Sequence, residues 1–211
     1  MPSTSTVPCP DVTAVILAGG KARRMGGEDK GLIELHGRPL LDYIIAGLRP
    51  QTAHLLINAN RNLDRYRAFG YPVAADTAGD FLGPLAGMAT GMQNAATPFL
   101  LAVPCDSPFV PAQLCTRLRR ALDEADAEIS VAHDGVRMQP VYTLLRCTLL
   151  PSLQSYLGEG ERRIDGWYAR HRLALADFSG SPEVFLNLNT PADRRRIENK
   201  LAGNTGACSG P

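Results

Sequence analysis

No apolar run in this chain approaches the roughly 18 residues a membrane-spanning helix needs, so no helical membrane segment is expected. The first ten residues are rich in Pro, Ser and Thr and lack both a basic start and an apolar core, so they are not expected to act as a secretory signal. The five cysteines (Cys9, Cys105, Cys115, Cys147, Cys208) are odd in number, widely spaced and without a CxxC pair. A disulfide framework or thiolate zinc site is therefore not expected, and a reducing cytoplasm fits best. The four histidines lie far apart with no metal-ligand spacing, and there is no GxSxG, no Walker GxxxxGK[ST] and no GxGxxG. An excess of charge of either sign is also lacking: 22 Lys and Arg against 21 Asp and Glu leave a net charge of +1. Such a balance supplies no overall field for gripping a nucleic-acid backbone or an anionic membrane, so neither is expected as a partner. An anionic ligand has to be caught by a local cluster.

What is present is a globular composition, 45% apolar over 211 residues, with short apolar runs alternating with helix-like segments. Strands are expected at 13–17, 53–57, 71–75, 99–103, 128–132, 140–145, 173–178 and 184–188. Helices are expected at 39–48, 85–95, 111–125, 149–157, 164–171 and 191–201. The helix over 111–125 carries Leu114, Leu118 and Leu122 at one-turn spacing. Alternation of this kind predicts βαβ units, an α/β fold with a mainly parallel central sheet and helices on both faces. Residues 1–10 and 202–211 read as disordered tails around one domain over 11–201. Ligands of such sheets sit beyond the carboxyl ends of the strands.

The residues at those ends are chemically unusual. The loop after the first strand, LAGGKARRMGGEDKG at 17–31, holds five glycines where average usage near 7% gives about one. It also holds Lys21, Arg23, Arg24 and Lys30. Glycines let the backbone approach a ligand while cations neutralise it, which suits a nucleotide triphosphate; a mobile surface loop with incidental charge is the alternative. Asn58 and Asp76 end the second and third strands, as site residues or as ordinary turn residues. Gly83-Pro84 opens a helix beside them. Asp106 emerges from the most apolar strand between Pro104 and Pro108; such a carboxylate is a natural Mg²⁺ ligand, or else a turn cap. Cys105 reads as a core thiol. Asn187 and Asn189 alternate onto one side of the last strand, and Thr190-Pro191 can cap the closing helix.

The 17–31 loop resembles the signature LAGGxxxRMGxDK of the molybdenum cofactor guanylyltransferases, the MobA family. NANR at 58–61, the Asp76 segment, GPLAGM at 83–88, PCDSPFVP at 104–111, GERR at 160–163 and NLNTP at 187–191 match that family's landmarks in order. The resemblance covers roughly residues 12–198. It implies a three-layer Rossmann-like nucleotidyltransferase fold that moves GMP from GTP onto the terminal phosphate of molybdopterin, using Mg²⁺ and releasing pyrophosphate. It also implies roles: Leu17, Ala18, Gly19 and Gly20 on the nucleotide through backbone, Arg24 and Lys30 on the triphosphate, Asn58 and Asp76 completing the GTP pocket, and Asp106 holding Mg²⁺. Asn187, Asn189, Arg162 and Arg163 would serve the pterin side. A cytoplasmic monomer is implied, with molybdopterin-handling proteins and molybdoenzyme chaperones as its partners. The alternatives are a cytidylyltransferase on the same pterin, a sugar-phosphate nucleotidyltransferase, and a GTP-binding adaptor without catalysis.

Overall fold

The computed structural model describes residues 9–19, 29–76 and 83–205. Its centre is a seven-stranded sheet. The strands are β1 (Cys9–Leu17), β4 (Thr52–Asn58), β5 (Val73–Ala74), β6 (Phe99–Pro104), β7 (Ile129–His133), β8 (Met138–Arg146) and β9 (Leu173–Asp177). They lie in the order β5-β4-β1-β6-β8-β7-β9. All neighbours pair parallel except β8, which runs antiparallel to both β6 and β7. A two-residue pair, β2 (Glu34–Leu35) with β3 (Arg38–Pro39), stands apart as a small hairpin.

Strand alternation sorts the core into two layers. On β1, Val12, Ala14 and Ile16 face one side and Val15 the other. The first side packs against α1 (Leu40–Leu48), α4 (Leu114–Glu124) and α7 (Pro191–Thr205). The second packs against α3 (Pro84–Asn94), α5 (Leu150–Gly158) and α6 (Ile164–Tyr168). Helices therefore cover both faces, as expected. On α4 the one-turn repeat does its work directly: Leu114, Leu118 and Leu122 are all fully buried. Each such leucine contributes roughly 1.5–3 kcal/mol through burial.

The differences from the sequence reading have local causes. A short helix, α2 (Leu63–Arg67), follows β4 and holds the buried Tyr66. Residues 184–188 do not form a strand. Pro182–Phe185 is a 3-10 turn, and beyond it the Leu188 amide donates to the Asp106 carbonyl at 2.7 Å, so the segment runs along the exit of β6 instead of joining the sheet. β1 starts at Cys9, inside the segment expected to be disordered, because the Cys9 amide donates to Gln51 O at 2.6 Å. α7 continues to Thr205, beyond the expected end, since it is docked through Ile197 and Leu201 and propagation adds a bond per residue. Among the described residues no helix is long and apolar enough to cross a membrane.

Chain direction makes a crevice. From β1 the chain crosses to β4 on one side, whereas from β6 it crosses to β7 on the other. The carboxyl ends of the adjacent strands β1 and β6 thus form a topological switch point, where open α/β sheets bind ligands.

Candidate active site

A row of residues in register crosses that edge: Ala74, Asn58, Leu17 and Pro104 end β5, β4, β1 and β6. As the strands leave the sheet, the Ala18 amide donates to Asn58 O at 2.8 Å and the Cys105 amide to Leu17 O at 3.2 Å. Leu17, Ala18 and Gly19 therefore stand at the mouth of the crevice. A Cβ on Gly19 would lie 3.0 Å from Asn60 Nδ2, so a side chain here would press on the amide of Asn60. Gly20 and Arg24 lie outside the described residues.

On the β4–β5 side, Asp76 is the hub. Its carboxylate accepts from Asn58 Nδ2, Asn60 Nδ2 and Thr90 Oγ1, each at 2.8 Å, and its amide donates to Asn60 Oδ1 at 2.8 Å. Three donors fix the orientation of a carboxylate that has about four acceptor positions, which leaves one for a ligand. Asn58 is nearly fully buried and also donates to Ala74 O at 3.2 Å. Asn60 and Thr90 were not foreseen as site residues. Asn60 sat inside the quoted NANR run, but Thr90, in mid-helix, carried no sequence signal.

On the β6 side, Lys30 ties three segments together. Its Nζ donates to Asp106 Oδ2 at 3.0 Å and to Asn189 Oδ1 at 2.6 Å. Both partners of the ion pair are about a fifth exposed, at 22% and 19%, so the group opens to solvent. Ser107 Oγ donates to Asn187 Oδ1 and to Leu186 O, and Thr190 with Asp193 caps α7 through reciprocal side-chain-to-amide bonds. Asn187 and Asn189 are thereby both drawn towards the β6 exit. Arg162 and Arg163 are engaged within the α5–α6 turn: Arg162 donates to the Leu157 carbonyl and Arg163 pairs with Asp165.

Asp106 Oδ1 is buried with no hydrogen-bond partner among the described residues. A buried, unpaired carboxylate oxygen is a donor waiting for a cation. No group of three or more His, Cys, Asp or Glu converges among the described residues. A lone carboxylate oxygen of this kind fits a cation that completes its shell with phosphate oxygens and water, as Mg²⁺ does. Cys105 offers no alternative chemistry: burial, then the Asp106 charge, push its thiol up to about 12, so it stays protonated at neutral pH.

Sheet topology and crevice chemistry define a class, the nucleotidyltransferases built on an α/β sheet. Within that class the chain belongs to the MobA-like NTP transferase domain family, whose model matches residues 14–174. It is 48% identical over 193 residues to a molybdenum cofactor guanylyltransferase of Shewanella loihica, covering 92% of this chain and 98% of the relative. It is 50% identical over 186 residues to another from Shewanella sp. (strain MR-4), with 88% and 94% covered. Among solved structures it resembles molybdopterin-guanine dinucleotide biosynthesis protein A from Archaeoglobus fulgidus, with a TM-score of 0.75 at 18% identity over 90% of this chain and 99% of that one. That likeness concerns the fold.

Proposed function

We propose that the protein transfers GMP from GTP to the terminal phosphate of molybdopterin and releases pyrophosphate. The observation that carries the reading is the Lys30 ammonium shared by Asp106 and Asn189 at the switch point, which concentrates charge where a triphosphate would lie. The names of relatives about half identical over most of the chain supply the base and the acceptor.

The acceptor is itself a nucleophile. A phosphate with a second pKa near 6 is already anionic at neutral pH, so no side chain has to take its proton. Its oxygen forms a bond to the α-phosphorus of GTP as the bond to the β-phosphate oxygen breaks, and the leaving pyrophosphate keeps that electron pair. What remains for the protein is alignment and charge neutralisation. Leu17, Ala18 and Gly19 border the nucleotide, with Asn58 and Asp76 holding it on the β4 side. Arg24 and Lys30 meet the triphosphate. Asn187 and Asn189 border the acceptor. Asp106, through Oδ1, is the residue that would hold Mg²⁺, which when bound neutralises phosphate charge and polarises the α-phosphoryl group.

The testing experiment supplies GTP labelled at the α-phosphorus, or CTP labelled likewise, with molybdopterin and Mg²⁺. Label entering a dinucleotide from GTP alone is the expected result. Label from CTP instead would move the protein to cytidylyl transfer, and binding of GTP without transfer would make it an adaptor. Lys30→Ala is expected to lower kcat by about 10²–10³-fold, the usual effect of removing one preorganised stabilising group, while the KM for GTP changes only a few-fold. An unchanged kcat would remove Lys30 from the reaction.

A further inference from the structure

Directly before Lys30 stands Asp29, a residue with no role so far. It is a charged side chain in the wrong place for solvent, only 2% exposed. A buried carboxylate is costly unless it is paired and hydrogen-bonded. Both compensations come from one short segment after β4: the Arg61 guanidinium pairs with Oδ1, and Asn62 Nδ2 donates to Oδ2 at 2.9 Å. Asn62 reaches it from a left-handed backbone (φ 50°), a conformation Asn tolerates better than most residues. The Asp29 carbonyl accepts from the Leu32 amide at 2.9 Å and so starts the 3-10 turn Lys30–Leu32. Beneath that turn the fully buried Tyr66 of α2 closes on Gly31, where a Cβ would already be 3.4 Å from its hydroxyl.

The backbone on either side of Lys30 is thus fixed to the β4–α2 segment, while the tip of Lys30 is held by Asp106 and Asn189 from β6 and the approach to α7. The side chain of Asp29 is 1% exposed, so it cannot touch a substrate. Resting on the proposed reaction, we infer that Asp29, anchored by Arg61 and Asn62, is a positioning residue that sets where the Lys30 ammonium sits when charge builds up on the departing pyrophosphate. Small displacements of a stabilising group are expensive in rate, which gives a buried ion pair outside the crevice a kinetic role.

The test uses the full chain and two readouts. In guanylyl transfer, Asp29→Asn, which keeps the shape and removes the charge, is expected to lower kcat between about 10- and 100-fold with little change in the KM for GTP. Arg61→Lys should restore most of the rate lost in Arg61→Met, because it keeps the charge. In a Lys30→Ala background, Asp29→Asn should add nearly nothing, since its effect runs through the missing ammonium. The second readout needs no activity: trace acetylation of Lys30, located by mass spectrometry, should be several-fold faster in Asp29→Asn than in the parent. An additive rate loss in the double variant, or acetylation of Lys30 at the parental rate, would overturn the inference. Asn62→Gly, which keeps the left-handed backbone and removes the hydrogen bond to Asp29, gives a milder, folded version of the same comparison should Asp29→Asn be unstable. Faster acetylation of Lys30 in Asp29→Asn than in the parent, with no GMP transfer by the parent, would refute the proposed reaction while leaving the anchor standing.

Discussion

Asp106→Ala is expected to reduce guanylyl transfer by about 10³-fold or more at saturating GTP while the protein stays folded. The two halves of that expectation rest on different atoms. The fold depends on the Asp106 backbone, whose carbonyl accepts the Leu188 amide at 2.7 Å and survives the substitution. The side chain holds Lys30 through one part-buried ion pair, each partner about a fifth exposed, so its loss costs some stability but breaks no backbone contact. Activity depends on the carboxylate. Without it, Lys30 keeps only Asn189 among the described residues, and the buried Oδ1 that could receive a cation is gone. Label transfer at rising Mg²⁺, with thermal unfolding as the control, checks both halves. Substantial turnover in saturating Mg²⁺ would remove Asp106 as the metal residue.

Gly87→Ala is expected to be nearly as damaging by a different route. A Cβ at Gly87 would collide with Asn58 Oδ1 and come within 2.8 Å of Leu17 Cδ2. Asn58 has nowhere to go: it is 2% exposed, and its amide is spent on Asp76 and on the Ala74 carbonyl. Relieving the clash means rotating Asn58 out of those bonds, which loosens Asp76 on one side and the β1 exit on the other. Overpacking of this kind costs about 1–3 kcal/mol in stability. The larger effect falls on GTP, with kcat/KM expected to drop about 100-fold, mainly through KM. Gly91→Ala, one turn further along α3, separates the two contributions. There the added carbon meets Leu100 and Val15, away from the nucleotide residues, so stability should fall while the KM for GTP stays near the parental value.

Long, periodic elements were legible in the sequence. TAVIL at 13–17 and the leucines of α4 announce themselves because burial repeats with the period of the backbone. α2 and the β2–β3 hairpin were not legible, since five residues and two pairs are too short for any period to register. Residues 184–188 show the opposite failure. Their apolar character is real, with Phe185 and Leu188 in the core, but it reflects packing beside the β6 exit and not a partner strand. The site divides the same way. Asp106 and Asn58 could be found because they stand at the ends of apolar strands. Asp29 stands inside the quoted signature but drew no role, because a sequence cannot tell a solvated carboxylate from one buried by an arginine 32 residues further on.

The hydrogen bond between Lys30 and Asn189 spans 159 residues of sequence. During synthesis, an amino-terminal fragment that stops before the approach to α7 can have the whole glycine-rich loop and still leave its lysine without one of its two holders. That two-sided hold is complete only when nearly all the chain has emerged and folded back against the turn that carries Lys30.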